Sequence, residues 1–260
     1  KGATWLKLRI VGEEGHGSMP YRSNNAVVTL SDAIYRLSRY EPPSDTSRIE
    51  LLTREIGIGA FQRFLLGSKI LLPKLLGMMW KNSPGQAKLL HALSRMTISP
   101  NISSGGTKVN VIPGSAEALL DVRTLPGQNA EYVAAHLRNA LGPLADSVEI
   151  SEISPEEGGF SSYGTASDTA SELVDTMKKI TQELMGPEAG LVPLLSPGGT
   201  DCRFFREKWG TNSYGFSLFD DRISANELAA MAHGDNERVS LGTIDLTAKA
   251  YKMIVEEFLS

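Results

Sequence analysis

The stretch VGEEGHGSMPYRSNNAV, residues 11–27, sets two adjacent carboxylates, a histidine and a serine close together near the start of the chain. Glu13 and Glu14 have the chemistry of a hydrolase pair, one binding a metal and the other acting as general base. They could equally be solvated residues at a strand end beside a more important His16, and local spacing does not decide it. Further along, Asn110 and Arg123 lie in KVNVIPGSAEALLDVRTLPG. An Asn amide both donates and accepts, and an Arg fork matches a carboxylate. Arg123 also has Asp121 and Glu117 on the same strand face as ordinary ion-pair partners. In SPGGTD, residues 196–201, glycines permit close backbone approach, and the amides of a following helix attract an anion. Asp201 could equally cap that helix. His233, in MAHGDNERV, reads by itself as a structural histidine in a polar loop. Cys202 has no histidine near it in sequence and reads as a small packed side chain, and His91 and His136 fall in helical patterns with no assigned role.

These residues need elements to hold them. In residues 4–11, Leu6, Leu8 and Ile10 alternate with Lys7 and Arg9, the period of a half-buried strand, so a strand delivers the chain to the His16 loop. Val27, Leu30, Ile34 and Leu37 then follow helical spacing, with Ser23 or Asn24 as N-cap. Residues 41–48 are turn-like, and 58–95 read as helices broken at Pro73 and Pro84. Two extended stretches surround Gly105 and Gly106, SAEALLDVRT alternates again, AEYVAAHLRNAL is helical and SVEISEI is a strand. Without the insert this order is the split βαβ, or ferredoxin-like, arrangement: a four-stranded antiparallel sheet with both helices on one face. It fills residues 1–154, with the helical insert at about 58–95. A polar Gly/Ser tract marks the boundary to 155–260, where a helix over 165–185, a short strand NSYGFSLF and a closing helix are expected.

Composition narrows the function. A net charge of -4 with scattered Lys and Arg gives no footprint for nucleic acid. The one cysteine, Cys202, fits a reducing compartment, so a cytoplasmic location is expected. No apolar run reaches the roughly 18 residues a span needs. The nearest, residues 56–80, is broken by Gln62, Arg63, Lys69, Pro73 and Lys74, so no membrane partner is expected, although its apolar excess could touch lipid. The chain opens almost inside a strand without an initiator Met, which reads as a fragment.

GEEGHGSMPYRSNNAV, KVNVIPGSAEALLDVRTLPG, PGGTDCRFF and AHGDNERV, in that order, resemble the lid domain and C-terminal catalytic segment of the co-catalytic zinc peptidase and deacylase family, which includes carboxypeptidase G, acetylornithine deacetylase and aminoacylase. The resemblance implies an α/β (α+β) chain: a ferredoxin-like lid and dimerisation domain followed by part of an α/β catalytic domain. It places the family's catalytic Glu pair upstream of the lid, making Glu13 and Glu14 loop residues and His16 the residue of interest, a donor to the oxyanion that reaches across a lid-mediated homodimer. It implies substrate contacts at Asn110, Arg123, Gly199 and Thr200, and a zinc ligand at His233, with Asp235 and Glu237 behind it.

The implied reaction is hydrolysis of a peptide or N-acyl amino acid amide next to a free carboxylate, by an enzyme holding two zinc ions. The family's His-x-Asp, bridging Asp, Glu pair and one further ligand are not recognisable in this sequence, so the chain alone is expected to be inactive. The alternative is a non-catalytic dimerisation or small-ligand-binding module. A serine hydrolase is disfavoured because Gly-x-Ser-x-Gly is missing, and a dinucleotide site because GEEGHG lacks the Gly-x-Gly-x-x-Gly order.

Overall fold

The computed structural model describes every residue except 225, 226, 229, 230, 232 and 233. The chain divides into two compact units. The first comprises Lys1–Ser44, Arg95–Thr165 and Ser196–Thr200; the second comprises Asp45–Ser94, Ala166–Leu195 and Asp201–Ser260.

In the first unit the alternation in β1 (Ala3–Val11) does what its period requires. Leu6, Leu8 and Ile10 are buried, while Arg9 points outward, close to Glu117 on one neighbouring strand and Glu149 on the other. The remaining elements are β2 (Gly15–His16), α1 (Ala26–Arg39), β3 (Thr97–Gly105), β4 (Val111–Ile112), β5 (Ser115–Arg123), α6 (Ala130–Leu141), β6 (Val148–Glu152) and β7 (Ser161–Ser162). The main sheet runs β3-β5-β1-β6 with every pair antiparallel, and β7 adds to the start of β1. Ala26, Leu30, Ala33 and Leu37 of α1 and Val133, Leu137 and Leu141 of α6 cover the inward face. Burying each large aliphatic side chain there contributes about 1.5–3 kcal/mol. This is the expected ferredoxin-like arrangement of two helices on one face of an antiparallel sheet.

Helix α1 starts later than predicted. Its N-cap is Asn25, whose side chain accepts from the Val27 amide, rather than Ser23 or Asn24. The carbonyl of Asn24 is engaged by the Glu13 N–H, and Arg22 turns with a positive φ, so the chain is still in the His16 loop at those positions.

The second unit holds two cores. Helices α2 (Ser47–Glu55), α3 (Ala60–Gly67), α4 (Leu72–Met79) and α5 (Pro84–Ser94) surround Ile49, Leu72, Leu76, Ala87 and Leu93. The helices of the insert break where predicted, at Pro73 and Pro84: Pro73 lies in the first turn of α4 and Pro84 opens α5, positions where a missing N–H costs nothing. Helix α2 begins inside the tract read as turn-like. In the other core, α7 (Glu172–Met185) and the C-terminal helix (Leu241–Phe258) bury Met177, Ile180, Ala250 and Ile254 around Leu218.

The predicted helix over 165–185 begins only at Glu172, because Ser171 caps it and Ser167 and Asp168 are bound sideways to Ser213 and Asn212. The predicted strand NSYGFSLF is not a strand. Its backbone is held by side chains: Arg206 on Ser213 O, Tyr251 on Phe216 O, and Thr247 on both the N–H and the C=O of Leu218. A strand needs a neighbouring strand to take its polar groups, and the described residues of this unit offer none.

Two outcomes follow for the sheet domain. Leu8→Ala should lower unfolding free energy by about 2–5 kcal/mol, whereas Lys7→Ala, which removes an exposed pair with Glu157, should leave the urea midpoint close to that of the wild type; urea titration of both variants checks this. The second concerns His136, half-buried against Tyr40 and Tyr132, where burial lowers its pKa from the ordinary 6.5. The unfolded chain then binds a proton that the folded chain refuses. This contribution to stability is complete above pH 6.5 and is lost as pH falls through 6.5 toward the lower folded value. The wild-type denaturation midpoint should therefore drop more than that of His136→Phe between neutral and mildly acidic buffer.

Candidate functional site

His16 sits at the tip of a two-residue ribbon. Gly15 pairs with Ile112 and His16 with Val111, while the Gly17 amide donates to the Asn110 carbonyl at 2.8 Å. The ribbon leaves the main sheet where β1 ends against β5, anchored by the Gly12 amide on Gly114 O. His16 and Asn110, far apart in sequence, are thus brought to one exposed place. Glycine suits this close approach at position 17: a Cβ there would lie 3.0–3.2 Å from three backbone atoms of Asn110, and the ribbon would have to give by a few tenths of an ångström.

The Ser18 backbone N–H, which can only donate, points at His16 Nδ1 at 3.2 Å, and Ser18 Oγ lies 2.7 Å from the same nitrogen. Nδ1 is therefore the acceptor, and in the neutral ring the proton resides on Nε2. The imidazole presents an N–H donor on its far side. Glu13 and Glu14 are exposed in the loop before it, and Glu14 packs its stem against Gly114.

Arg123 is at the opposite end of β5 from this ribbon, eight strand residues or about 27 Å away. Its Nε and Nη2 grip both oxygens of Asp121, at 2.6 and 2.8 Å. Beside this pair the Lys1 side chain is buried and donates to Arg95 O. Burial, reinforced by the Arg123 charge, brings its pKa down to about 7, against a smaller opposing pull from Asp121. The Lys1 main-chain nitrogen reaches Ser196 O at 2.5 Å, which brings the start of the Gly199–Thr200 loop to the Arg123 end of the sheet. Gly199 and Thr200 are exposed. Asp201 stands at the N-cap of α8 (Cys202–Trp209) but makes no side-chain capping bond, and Cys202 is a half-buried free thiol.

The structure thus sorts the predicted residues of the first unit into two groups, His16 with Asn110 and Arg123 with the Gly199–Thr200 loop. His233 lies outside the described residues. Among the described residues no three His, Cys, Asp or Glu side chains come together as a metal site, so the residues in view do not by themselves fit a zinc ion. Sequence reasoning passed over Asp220, which lines a cleft of about 460 Å³ in the second unit together with Phe219, Ile223 and Leu228. The Ser240 hydroxyl on its carboxylate is the main cause holding Asp220 below the usual carboxylate range. The Asp-Asp pair at 220–221 is the only sequence signal that could have pointed there.

Comparison with known proteins places this geometry in context. Over 259 residues, 98% of this chain and 45% of the other, the chain is 28% identical to "Probable carboxypeptidase S-like 2" of Dictyostelium discoideum. Over 257 residues, 96% of this chain and 48% of the other, it is 25% identical to the human "N-fatty-acyl-amino acid synthase/hydrolase PM20D1". The chain spans about half the length of the curated relatives it matches. Among solved structures, the M20 family metallo-carboxypeptidase Sso-CP2 from Sulfolobus solfataricus shares the fold with a TM-score of 0.59 at 20% identity, over 98% of this chain and 57% of that one. Residues 1–149 match the family described as peptidase dimerisation domain, M20_dimer, and they contain the whole sheet from β1 to the start of β6, both covering helices and the His16 ribbon. The chain belongs to the M20 peptidase family, to which this dimerisation domain assigns it.

Proposed function

We propose that this chain is the lid and the C-terminal catalytic segment of a zinc-dependent peptidase or deacylase, acting on a peptide or N-acyl amino acid amide bond beside a free carboxylate. In this reading residues 1–154 are the lid and dimerisation domain, with the insert at about 58–95, and 155–260 belong to the catalytic domain. The observation that carries the reading is the ring of His16, held by Ser18 so that Nε2 presents a proton outward from the ribbon it shares with Asn110. A donor fixed before the reaction stabilises negative charge that develops on an amide oxygen when water attacks, without reorganising at that moment.

Asn110 is the neighbouring amide that orients the substrate. At the other end of the sheet, Gly199 and Thr200 offer backbone donors to a substrate carboxylate. Arg123 already gives Asp121 its Nε side, so the end of its fork that carries Nη1 is what it offers a second carboxylate. His233 contributes one ligand to the zinc site. The other ligands and the general base come from the length of a whole family protein that this chain does not span. When bound, the metal supplies the Lewis acidity and the activated water of amide hydrolysis. The location proposed is the cytoplasm.

The dimer is proposed to form through the free edge of β3 and the outer face of α1. Ile102 is exposed on that edge, and Val28 and Tyr35 are exposed on the helix beside it. An open edge invites pairing with a second copy. Sedimentation at micromolar concentration should give a dimer, and Ile102→Asp with Val28→Glu should raise the dissociation constant at least tenfold, about 1.4 kcal/mol. A monomer at every soluble concentration would sink the dimer and the role of His16 across it.

In the whole-length enzyme, His16→Ala should lower kcat by about 10²–10³ with metal content and KM nearly unchanged. Gly17→Ala, which presses the ribbon against Asn110, should reduce turnover with little loss of stability. Mixing His16→Ala with His233→Ala subunits tests the cross-dimer geometry. If His16 serves its partner's site, the two nearly inactive variants should together recover roughly a quarter of wild-type activity, since half the dimers are mixed and each has one intact site. No recovery on mixing would place His16 in its own subunit's site.

A further inference from the structure

The helices of the insert bury a small apolar core yet leave several larger apolar side chains outside it. Their core is made of Ile49, Leu72, Leu76, Ala87 and Leu93, while Phe61, Phe64, Ile70, Met78 and Trp80 stand in solvent, from 55% exposed at Trp80 to 80% at Ile70. Large aromatic and aliphatic side chains are normally the first to be buried, and five of them left outside within twenty residues of one another in sequence single out this segment. On α3, Phe61 and Phe64 are one turn apart and share a face; on α4, Met78 lies on the side away from the buried Leu72 and Leu76.

The charge of the same segment names what it meets. Although the chain carries a net charge of -4, no acidic residue occurs between Glu55 and Glu117. The insert over this interval has Arg63, Lys69, Lys74, Lys81 and Lys88, all exposed. Lys88 Nζ lies 5.7 Å from the centre of the Trp80 ring, an ammonium and an indole side by side, as at a membrane interface where one end of a side chain is wet and the other apolar. Protruding apolar groups among an excess of cations suit a surface that is apolar below and anionic above, with Asp45, close to Lys69, and Glu50, against Gly67, the acidic residues at the margin. A protein partner would need its own acidic rim and a matching cavity for each side chain. No described helix is long and apolar enough to cross a membrane, so the contact is with one leaflet.

We propose that helices α3 to α5 form an interfacial docking face for an anionic lipid bilayer, with Phe61, Phe64, Ile70, Met78 and Trp80 entering the headgroup region and the five basic residues reading the negative surface. The inference is independent of the catalytic reading above. It concerns where the protein works.

Co-sedimentation of the 260-residue protein with phosphatidylcholine vesicles, with and without about a third phosphatidylserine, tests it. Binding should require the anionic lipid and weaken as salt is raised. Phe61→Ser with Trp80→Ser should reduce partitioning by at least tenfold, and Lys69→Glu with Lys74→Glu should do so on the order of five-fold per charge. Circular dichroism and melting temperature confirm that each variant is folded. Phe205→Ser, on exposed α8 outside the insert, should leave binding unchanged. The proposal is overturned by equal binding to neutral and anionic vesicles, by a loss from Phe205→Ser as large as that from the insert variants, or by no vesicle binding at all. Conversion of a dimer to a monomer by the insert substitutions, without vesicle binding, would assign the face to a second copy of the chain.

Discussion

The antiparallel registration of β1 against β5 is the constraint on which the first unit depends. It runs from Thr4 opposite Val122 to Val11 opposite Ser115, and the same strand pairs with β6 on its other side. Side chains alternate across a strand, so a shift of one residue would turn Leu6, Leu8 and Ile10 outward and bring Lys7 and Arg9 into the core. Arg9 reinforces the register from outside, being opposite Glu117 on β5 and Glu149 on β6. The register also fixes the functional geography. The end at Val11 launches the His16 ribbon, and the end at Thr4 lies beside Arg123, so the length of β5 separates the two groups of candidate residues.

The ribbon solves a particular problem. A histidine on a free loop would lose much of its value as a donor, because the ring must find one orientation and one tautomer at the moment charge develops. Here the backbone of His16 is held by pairing with Val111, the next residue is pinned to Asn110, and the amide of Ser18 takes Nδ1, the arrangement that the proposed donor role asks for. Three backbone contacts within three residues order the ring with no buried charge and no core. The ribbon remains exposed and only two residues long.

Much of this was legible in the sequence. The strands β1 and β5 and the helices α1 and α6 have clean periods, because each has one face in a single core and one in water, and such elements write their environment into their spacing. The resemblance of four ordered motifs pointed to the family that the dimerisation domain establishes. What could not be read was long-range: that residue 16 pairs with residue 111, or that Asp121 occupies the fork of Arg123 rather than only neighbouring it. The cap at Asn25 was missed for a local reason, since three successive polar residues all have capping chemistry and the loop's hydrogen bonds choose among them. The expected strand at 212–219 failed because alternation states a preference, and a strand exists only where another backbone completes it.

That failed strand bears on how the second unit is held together. Serine, threonine, tyrosine and arginine side chains satisfy the backbone of Ser213, Phe216 and Leu218. Each such bond contributes on the order of 1 kcal/mol and constrains one group, whereas a neighbouring strand would satisfy every second residue in a fixed register. On α8, Phe204, Phe205 and Trp209 are all about half exposed, so this helix too spends little of its apolar surface inside the unit. The sheet domain, with a continuous core and a ladder on both sides of β1, has its geometry dictated from within. The segment at 212–219 and helix α8 follow instead from side-chain bonds and a thin core.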